Sequence, residues 1–323
     1  MSKKSIPAWR QLAADELARR AAVAHERLRA CESCPRRCRV DRLAGKLGFC
    51  RTGALAQVAS YGPHFGEEEP LVGRGGSGTI FFGNCNLGCV FCQNYDISHP
   101  HDDQAGGMEV DAAALAGMML ELQEQGCVNI NLVTPSHVVP QILAALVEAR
   151  RLGLALPLVY NTSSYDSLAT LQLLAGVVDI YLADFKYWRP AEAKRLLRAE
   201  DYPQRAREAI EEMHRQVGDL QLDDQGLAHR GLLLRHLVMP GGLADSEAIF
   251  HFLAQKISPH TYTNIMEQYH PSGQAHQFPP IDRPLDRAEY QQALELAHRA
   301  GLHRLDERAA ARLLRRLLRG GGG

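Results

Sequence analysis

Three cysteines lie close together in the spacing Cys85-x3-Cys89-x2-Cys92, and the aromatic Phe91 stands directly before the third. Such short gaps let one loop wrap around a single inorganic centre. Three thiolates suit an iron–sulfur cluster, because these clusters prefer soft sulfur ligands. A [4Fe–4S] cube has four irons, so three cysteines leave one iron without a protein ligand and open to chemistry.

Zinc and free thiols are the alternatives for this loop. Zinc usually takes four ligands from paired C-x2-C or C-x2-H units. The next Cys or His after Cys92 is His99, and a proline follows it. The spacing therefore favours an iron–sulfur cluster over zinc.

Composition limits the class of protein. A chain of 323 residues with 46% hydrophobic content predicts one large α/β domain with a small appendage. The 36 basic and 37 acidic residues leave no excess of positive charge for a nucleic-acid partner. No apolar run is long enough for a membrane span, and the N-terminus does not resemble a secretory signal. Eight cysteines without such a signal indicate reduced thiols or metal sites in the cytoplasm.

A second group of cysteines precedes the first. A helix is predicted over residues 8–30, followed by Cys31, Cys34, Cys38 and Cys50 in a stretch with few apolar residues. Such a stretch cannot fold by burial alone, so a metal is the predicted organiser. Zinc and a second [4Fe–4S] cluster both remain open. Residues 1–54 are thus interpreted as a helix with a cysteine-rich metal-binding segment.

After this segment, strand and helix patterns alternate. Residues 55–62 suit a short strand, and six further strands are predicted at 78–83, 127–133, 156–161, 177–183, 231–239 and 262–269. Asp111 is a predicted helix N-cap, and Asp286 with Glu289 forms a capping box. The pattern predicts a partial (β/α)6 barrel over residues 55–310. Residues 311–323 are predicted to be a helix end with a disordered tail.

Polar residues recur where these strands end. They are Thr134, Ser136, His137, Asn161, Thr162, Asp184, Lys186, Arg235, His236, Glu267, Gln268 and His270. Parallel strands end at the same edge of a sheet, so this convergence predicts a cofactor pocket there. A single residue of this kind is more often a turn-former or helix cap, and Ser136 and Asp166 suit that alternative.

The C-x3-C-x2-C loop with its aromatic resembles the signature of the radical S-adenosylmethionine (SAM) superfamily. The resemblance implies that Cys85, Cys89 and Cys92 ligate a catalytic [4Fe–4S] cluster whose open iron binds the amino and carboxylate groups of SAM. An electron from the cluster would cleave SAM into methionine and a 5′-deoxyadenosyl radical, which abstracts hydrogen from a substrate. Phe91 would pack near the adenine.

Several short motifs resemble those of the glycyl-radical-enzyme activases, a branch of this superfamily. The resemblance is greatest to the group labelled pyruvate formate-lyase activating-enzyme-like. The similarity lies in Cys92-Gln93-Asn94, Asp184-x-Lys186, Arg235 and Tyr269-His270. It implies that Asn94 belongs to the cofactor site, that Asp184 and Lys186 lie beside SAM, that Arg235 lies near the SAM carboxylate, and that His270 lies near the ribose. In that branch the aspartate also helps to hold a monovalent cation.

The chain departs from the family in two places. Asn161-Thr162 stands where activases have Asp-Thr, and losing a carboxylate weakens attraction for a cation. Thr134-Pro135-Ser136-His137 stands where most radical SAM proteins have a Gly-Gly-Glu-Pro stretch for the SAM amino group. These four residues are therefore predicted to supply SAM contacts.

Three functions follow from this sequence. The first is a radical SAM oxidoreductase that activates a glycyl-radical enzyme, with flavodoxin or ferredoxin as electron donor. The second is a radical SAM enzyme acting on a small molecule or a peptide. The third is a non-catalytic iron–sulfur or zinc protein in electron transfer or regulation, which would not explain the polar strand ends. Cys127, which starts a strand, is predicted to be a core thiol.

Overall fold

The computed structural model describes residues 6–99 and 106–306. The strands of this part of the chain are β1 (Ala56–His64), β2 (Ser77–Phe82), β3 (Met108–Val110), β4 (Ile130–Val133), β5 (Leu158–Thr162), β6 (Ile180–Asp184), β7 (Gln221–Leu222), β8 (Ala228–Leu237) and β9 (Tyr262–Met266). Its helices are α1 (Ala8–Gln11), α2 (Ala14–Glu26), α3 (Glu69–Val72), α4 (Tyr95–Ser98), α5 (Ala112–Glu124), α6 (Val139–Leu152), α7 (Leu168–Leu173), α8 (Pro190–Leu197), α9 (Tyr202–Val217), α10 (Ser246–Phe252) and α11 (Arg287–Ala300).

Six strands run parallel and neighbour each other in chain order: β2, β4, β5, β6, β8 and β9. Strand β1 is antiparallel to β2, β3 is antiparallel to β1, and β7 is antiparallel to β8. Helices connect the parallel strands, as parallel pairing requires. The predicted α/β fold with a parallel sheet is confirmed, whereas its curvature into a partial barrel stays a prediction.

Both faces of the sheet are buried, as in other parallel sheets. One face packs against the helices through residues such as Leu132, Tyr160 and Tyr181. The opposite face carries a smaller apolar cluster that includes Val159, Leu182, Leu233 and Leu71. Because alternate residues of a strand share a face, this second face continues, two residues further along β5, β6 and β8, into Asn161, Asp184 and Arg235. The sheet thereby brings these three side chains to one edge.

The N-terminal helix differs from its prediction. Residues 8–30 form α1, α2 and a 3-10 turn, because Leu12 and Ala13 are extended. Trp9 is fully buried and donates from Nε1 to the Leu156 carbonyl at 3.1 Å. Arg150 donates to the carbonyls of Trp9 and Leu12. These tertiary bonds satisfy carbonyl groups that a continuous helix would have paired internally.

The predicted helix caps are confirmed. The Asp111 carboxylate accepts a hydrogen bond from the Ala114 N–H at 2.8 Å, and Asp286 and Glu289 form the reciprocal capping box of α11. The last predicted strand ends earlier, at Met266. The prediction for residues 311–323 lies outside the described residues. In the described part of the chain, every helix is too short or too polar to cross a membrane.

His236, near the end of β8, ties α10 to the sheet. Its ring is fully buried between the Phe185 carbonyl and the Ser246 hydroxyl, each 2.8 Å away. The carbonyl can only accept, so Nδ1 carries the proton and Nε2 accepts from Ser246. Burial lowers the pKa of His236 to about 4.

We expect this depressed pKa to make stability depend on pH. The unfolded histidine gains a proton near pH 6.5 while the native one stays neutral, so stabilisation present at high pH is lost as the pH falls towards 4. Between pH 8 and pH 5.5 the loss attributable to His236 should be about 1.4 kcal/mol. Anaerobic urea denaturation at both pH values measures it, and the His236→Gln variant should show a correspondingly smaller loss. Equal losses in the two proteins would contradict the assignment.

Candidate functional site

The loop that contains Cys85, Cys89 and Cys92 follows β2 at the carboxyl edge of the parallel sheet. Two backbone hydrogen bonds connect the loop to α8. The Gly88 N–H donates to the Leu197 carbonyl at 3.1 Å, and the Val90 N–H donates to the Leu196 carbonyl at 3.0 Å. The loop therefore has a fixed position at the edge where α/β proteins place their sites.

The three thiols are enclosed by protein. Cys89 is buried, and Cys85 and Cys92 are half-buried. Burial raises the pKa of Cys85 to about 12 and raises that of Cys89 further, while the charge of Lys186 lowers both. The Leu87 N–H lies 3.4 Å from the Cys85 sulfur, and the Ser98 hydroxyl donates to the Cys92 sulfur at 3.2 Å. These donors favour thiolates, the form that binds metal.

A charged network lies beside Cys89. Asp184 accepts from Lys186 Nζ at 2.7 Å and from Arg235 Nε at 2.8 Å, and Arg235 Nη2 donates to Asn161 Oδ1 at 2.8 Å. Burial would raise the pKa of Asp184, but the charges of Arg235 and Lys186 outweigh it and hold the pKa at about 2. Four predicted site residues are thus brought together, with Asp184 ionised.

Two acidic residues of this network were not predicted. Glu67 accepts from Asn131 Nδ2 at 3.1 Å and from Arg235 Nη1 at 3.4 Å. Glu68 accepts from Asn264 Nδ2 at 2.8 Å, and burial raises its pKa. Both residues are buried, and they lie in the connection between β1 and α3. The run of three glutamates before Pro70 is the sequence signal that could have drawn attention to them.

Ser136 and Thr162 belong to a separate buried network. Their hydroxyls lie 3.1 Å apart, Thr162 donates to Asp166 Oδ2 at 2.5 Å, and Tyr160 donates to Asp166 Oδ1 at 2.7 Å. The alternative in which Ser136 and Asp166 cap helices is wrong, because α6 is preceded by Val138 and α7 by Ser167. Both hydroxyls are occupied within the protein.

The remaining predicted cofactor residues are Phe91, Thr134, Asn94 and His270. Phe91 is buried, with its ring 5.9 Å from that of Tyr187 and 6.3 Å from that of Tyr269. Thr134 is half-buried, and Asn94 and His270 are exposed. Contact of these four residues with SAM stays a prediction.

Cys31, Cys34, Cys38 and Cys50 line one cavity. Gly48 approaches so closely that a Cβ there would lie 2.8 Å from the Cys38 sulfur, and the Phe49 N–H donates to that sulfur at 3.4 Å. No group of three or more His, Cys, Asp or Glu side chains within residues 6–99 and 106–306 is arranged to hold a single metal ion.

The N-terminal segment and the cysteine loop are in direct contact. Arg36 Nε donates to the Asn86 carbonyl at 2.9 Å, and Asn84 Nδ2 reaches the Thr52 hydroxyl at 3.4 Å. His137 lines the cavity of the N-terminal cysteines, and its predicted contact with SAM stays a prediction. Its Nε2 bonds the Gly83 carbonyl at 3.0 Å, and burial lowers its pKa to about 4. The two groups of cysteines are therefore neighbours in space.

No family model matches this chain. It is 33% identical over 276 residues to the uncharacterized protein MJ0674 of Methanocaldococcus jannaschii. The aligned residues cover 84% of this chain and 75% of that protein.

Two solved structures align with part of this chain. The crystal structure of Streptococcus suis SuiB aligns with 67% of this chain and 44% of its own, at 12% identity and a TM-score of 0.43. The radical S-adenosylmethionine methyltransferase TsrM of Kitasatospora setae, solved with tryptophan and the SAM analogue aza-SAM, aligns with 59% of this chain and 36% of its own, at 16% identity and a TM-score of 0.42. The chain thus spans less than half of either protein, and TM-scores of this size do not establish a common fold.

Proposed function

We propose that this chain, which belongs to the family of the uncharacterized M. jannaschii protein MJ0674, is a radical SAM enzyme. One observation carries the proposal. The Cys85/Cys89/Cys92 loop follows the first parallel strand, and the ends of two other parallel strands bring Asp184, Lys186 and Arg235 to the same edge. The three cysteine thiols and the three charged side chains therefore lie at the same edge of the sheet.

The residues of the loop fit a [4Fe–4S] cluster. Three thiols lie in an enclosed loop, and the nearby charge of Lys186 partly offsets the effect of burial on the pKa values of Cys85 and Cys89. Three thiolates can ligate three irons and leave the fourth for SAM. With cluster and SAM bound, the site would supply a 5′-deoxyadenosyl radical that abstracts hydrogen from a substrate.

We infer that Lys186, rather than Arg235, would bind the carboxylate of SAM. Its ammonium has three donors, and among the described residues it makes one side-chain hydrogen bond, to Asp184. Arg235 uses Nε, Nη1 and Nη2 for Asp184, Glu67 and Asn161, so it would have to exchange a partner. The Asp184 carboxylate, held ionised, is an acceptor for the amino group of SAM.

The resemblance to activases would place a monovalent cation beside Asp184 and Asn161. In this chain the guanidinium of Arg235 lies between the two, 2.8 Å from an oxygen of each. A fixed side chain therefore supplies positive charge at this position, and Arg235 acts here as a positioning residue for Asp184.

The glycyl-radical-enzyme activase role is the finer proposal. It is supported by the matches at Asn94, Asp184, Lys186 and His270. A small molecule or a peptide is the alternative substrate. A flavodoxin or ferredoxin would supply the electron, and a cytoplasmic location fits the reduced cysteines. Product analysis with each candidate substrate in the assay below distinguishes them.

The decisive test is SAM cleavage. The protein is reconstituted anaerobically with iron and sulfide, reduced with dithionite and mixed with SAM. We expect 5′-deoxyadenosine and methionine in equal amounts by liquid chromatography and mass spectrometry, and neither product when dithionite is omitted. A protein that carries about four irons more than its Cys85→Ala, Cys89→Ala, Cys92→Ala variant and still forms no 5′-deoxyadenosine would overturn the proposal.

A further inference from the structure

Arg42 is a buried cation that pairs with no carboxylate among residues 6–99 and 106–306. Its side chain is 1% exposed, and it lines the cavity formed by Cys31, Cys34, Cys38 and Cys50. Nε donates to the Gly53 carbonyl at 2.9 Å, and Nη1 donates to the His137 carbonyl at 2.9 Å and lies 3.8 Å from the Cys31 sulfur. An arginine is always charged, and a buried charge requires a compensating one. Among the described residues that line this cavity, the groups that can become negative are the four thiols.

Two guanidinium nitrogens beside the cavity lack partners. Arg36 Nη2 and Arg42 Nη2 are buried, and neither forms a hydrogen bond within the described residues. Arg36 and Arg42 both line the cavity. Leaving a charged donor unsatisfied costs more than leaving a neutral one unsatisfied. Both nitrogens therefore keep a hydrogen-bonding capacity that the described residues do not use.

We propose that Cys31, Cys34, Cys38 and Cys50 hold a second [4Fe–4S] cluster, to whose sulfur atoms Arg36 and Arg42 donate hydrogen bonds. Four thiolates on such a cluster leave it with a net negative charge, which the buried guanidinium of Arg42 offsets. Its bridging sulfides add acceptors that a zinc ion does not have. Zinc would also draw the four sulfurs to within about 3.8 Å of one another, since each Zn–S bond is about 2.3 Å, and no three of the described Cys, His, Asp or Glu side chains are arranged to hold a single metal ion.

The second cluster is placed next to the first. Arg36 lines its cavity and also donates to the carbonyl of Asn86, which lies between Cys85 and Cys89. The proposal rests on the proposed function only for the identity of this neighbouring centre. The arginines act through charge and hydrogen bonding on the cluster, which sets its reduction potential.

The first test removes the neighbouring cluster. In the full chain, the triple variant Cys85→Ala, Cys89→Ala, Cys92→Ala is purified anaerobically, and its iron, sulfide and zinc are counted. We expect about four irons and four sulfides per chain. Dithionite, which supplies one electron per cluster, should then produce a [4Fe–4S] signal in electron paramagnetic resonance (EPR). About one zinc per chain without iron would overturn the proposal, and so would a folded variant that carries neither metal.

The second test addresses the arginines. In the triple variant, Arg42→Gln should lower the midpoint potential in an EPR redox titration, because the loss of a positive charge disfavours the added electron. Arg42→Lys keeps the charge and should restore most of the potential. Arg39→Gln is the matched control, since the Arg39 side chain is 73% exposed and is paired with Glu32. Equal potentials in Arg42→Gln and Arg39→Gln would overturn the role of Arg42.

A second arginine variant is available if Arg42→Gln does not fold or does not hold a cluster. If Arg42→Gln loses its iron, Arg36→Gln takes its place in the titration with the same expectation. Iron in the triple variant does not depend on SAM cleavage. Four irons there, together with a wild-type protein that carries about eight irons and forms no 5′-deoxyadenosine, would therefore overturn the proposed function and leave the second cluster standing.

Discussion

Replacement of Cys89 by alanine should lower the iron content by about four atoms per chain and reduce the formation of 5′-deoxyadenosine more than about a hundredfold. Cys89 is the buried member of the three thiols. Besides burial, the charge of Lys186 lowers its pKa, and the charges of Cys92, Cys85 and Asp184 raise it. Removing this thiolate takes away one of three protein ligands of the open cluster. Iron analysis and the SAM cleavage assay, both under anaerobic conditions, measure the two effects.

Cys127 provides the matched control for this variant. It is also a buried free thiol, but it lies before β4, in the core that contains Leu122 and Ile130. Cys127→Ala should keep the full iron content and unchanged SAM cleavage, and it should lose about 1 kcal/mol of stability or somewhat more. If Cys89→Ala cleaved SAM as well as Cys127→Ala does, the loop would not be the catalytic centre.

The sequence predicted what depends on local pattern. Strand periodicity located six parallel strands, and short-range chemistry located the caps at Asp111 and Asp286, because these features are decided within a few residues. The gathering of Asn161, Asp184, Lys186 and Arg235 was also predictable. Residues that end neighbouring parallel strands must meet at one edge of the sheet.

Side-chain direction after a strand was not predictable. Ser136 and His137 are adjacent in the chain, yet Ser136 joins the network of Asp166 while His137 lines the cavity of the N-terminal cysteines. Glu67 and Glu68 reach the site from a connection between β1 and α3 that carries no periodic pattern. Such contacts depend on which element packs over which, and this information is spread along the whole chain.

Replacement of Arg235 by methionine should lower the free energy of unfolding at pH 8 by about 3–5 kcal/mol. The guanidinium compensates Asp184 and Glu67, and its charge also lowers the pKa of Glu68. A buried carboxylate that loses its cation keeps its desolvation cost without the offsetting attraction. Urea denaturation under anaerobic conditions measures the loss. Arg19→Met, which breaks an ion pair whose arginine side chain is 64% exposed, should cost less than about 1 kcal/mol.

The pH dependence separates lost charge compensation from lost packing. Without Arg235, the native pKa of Asp184 should rise above that of the unfolded chain, and the native pKa of Glu68, which burial already raises, should rise further. A carboxyl group with a raised native pKa is stabilising at low pH, and that stabilisation is lost as the pH rises through the native pKa. The gap between wild type and Arg235→Met should therefore shrink from pH 8 to pH 5. Arg235→Lys keeps the charge but loses the hydrogen bond from the guanidinium to Asn161. The difference in free energy of unfolding between wild type and Arg235→Lys should therefore be smaller at pH 8 than that of Arg235→Met, and nearly independent of pH. A gap in Arg235→Met that does not change with pH would mean that packing, and not charge, makes Arg235 important.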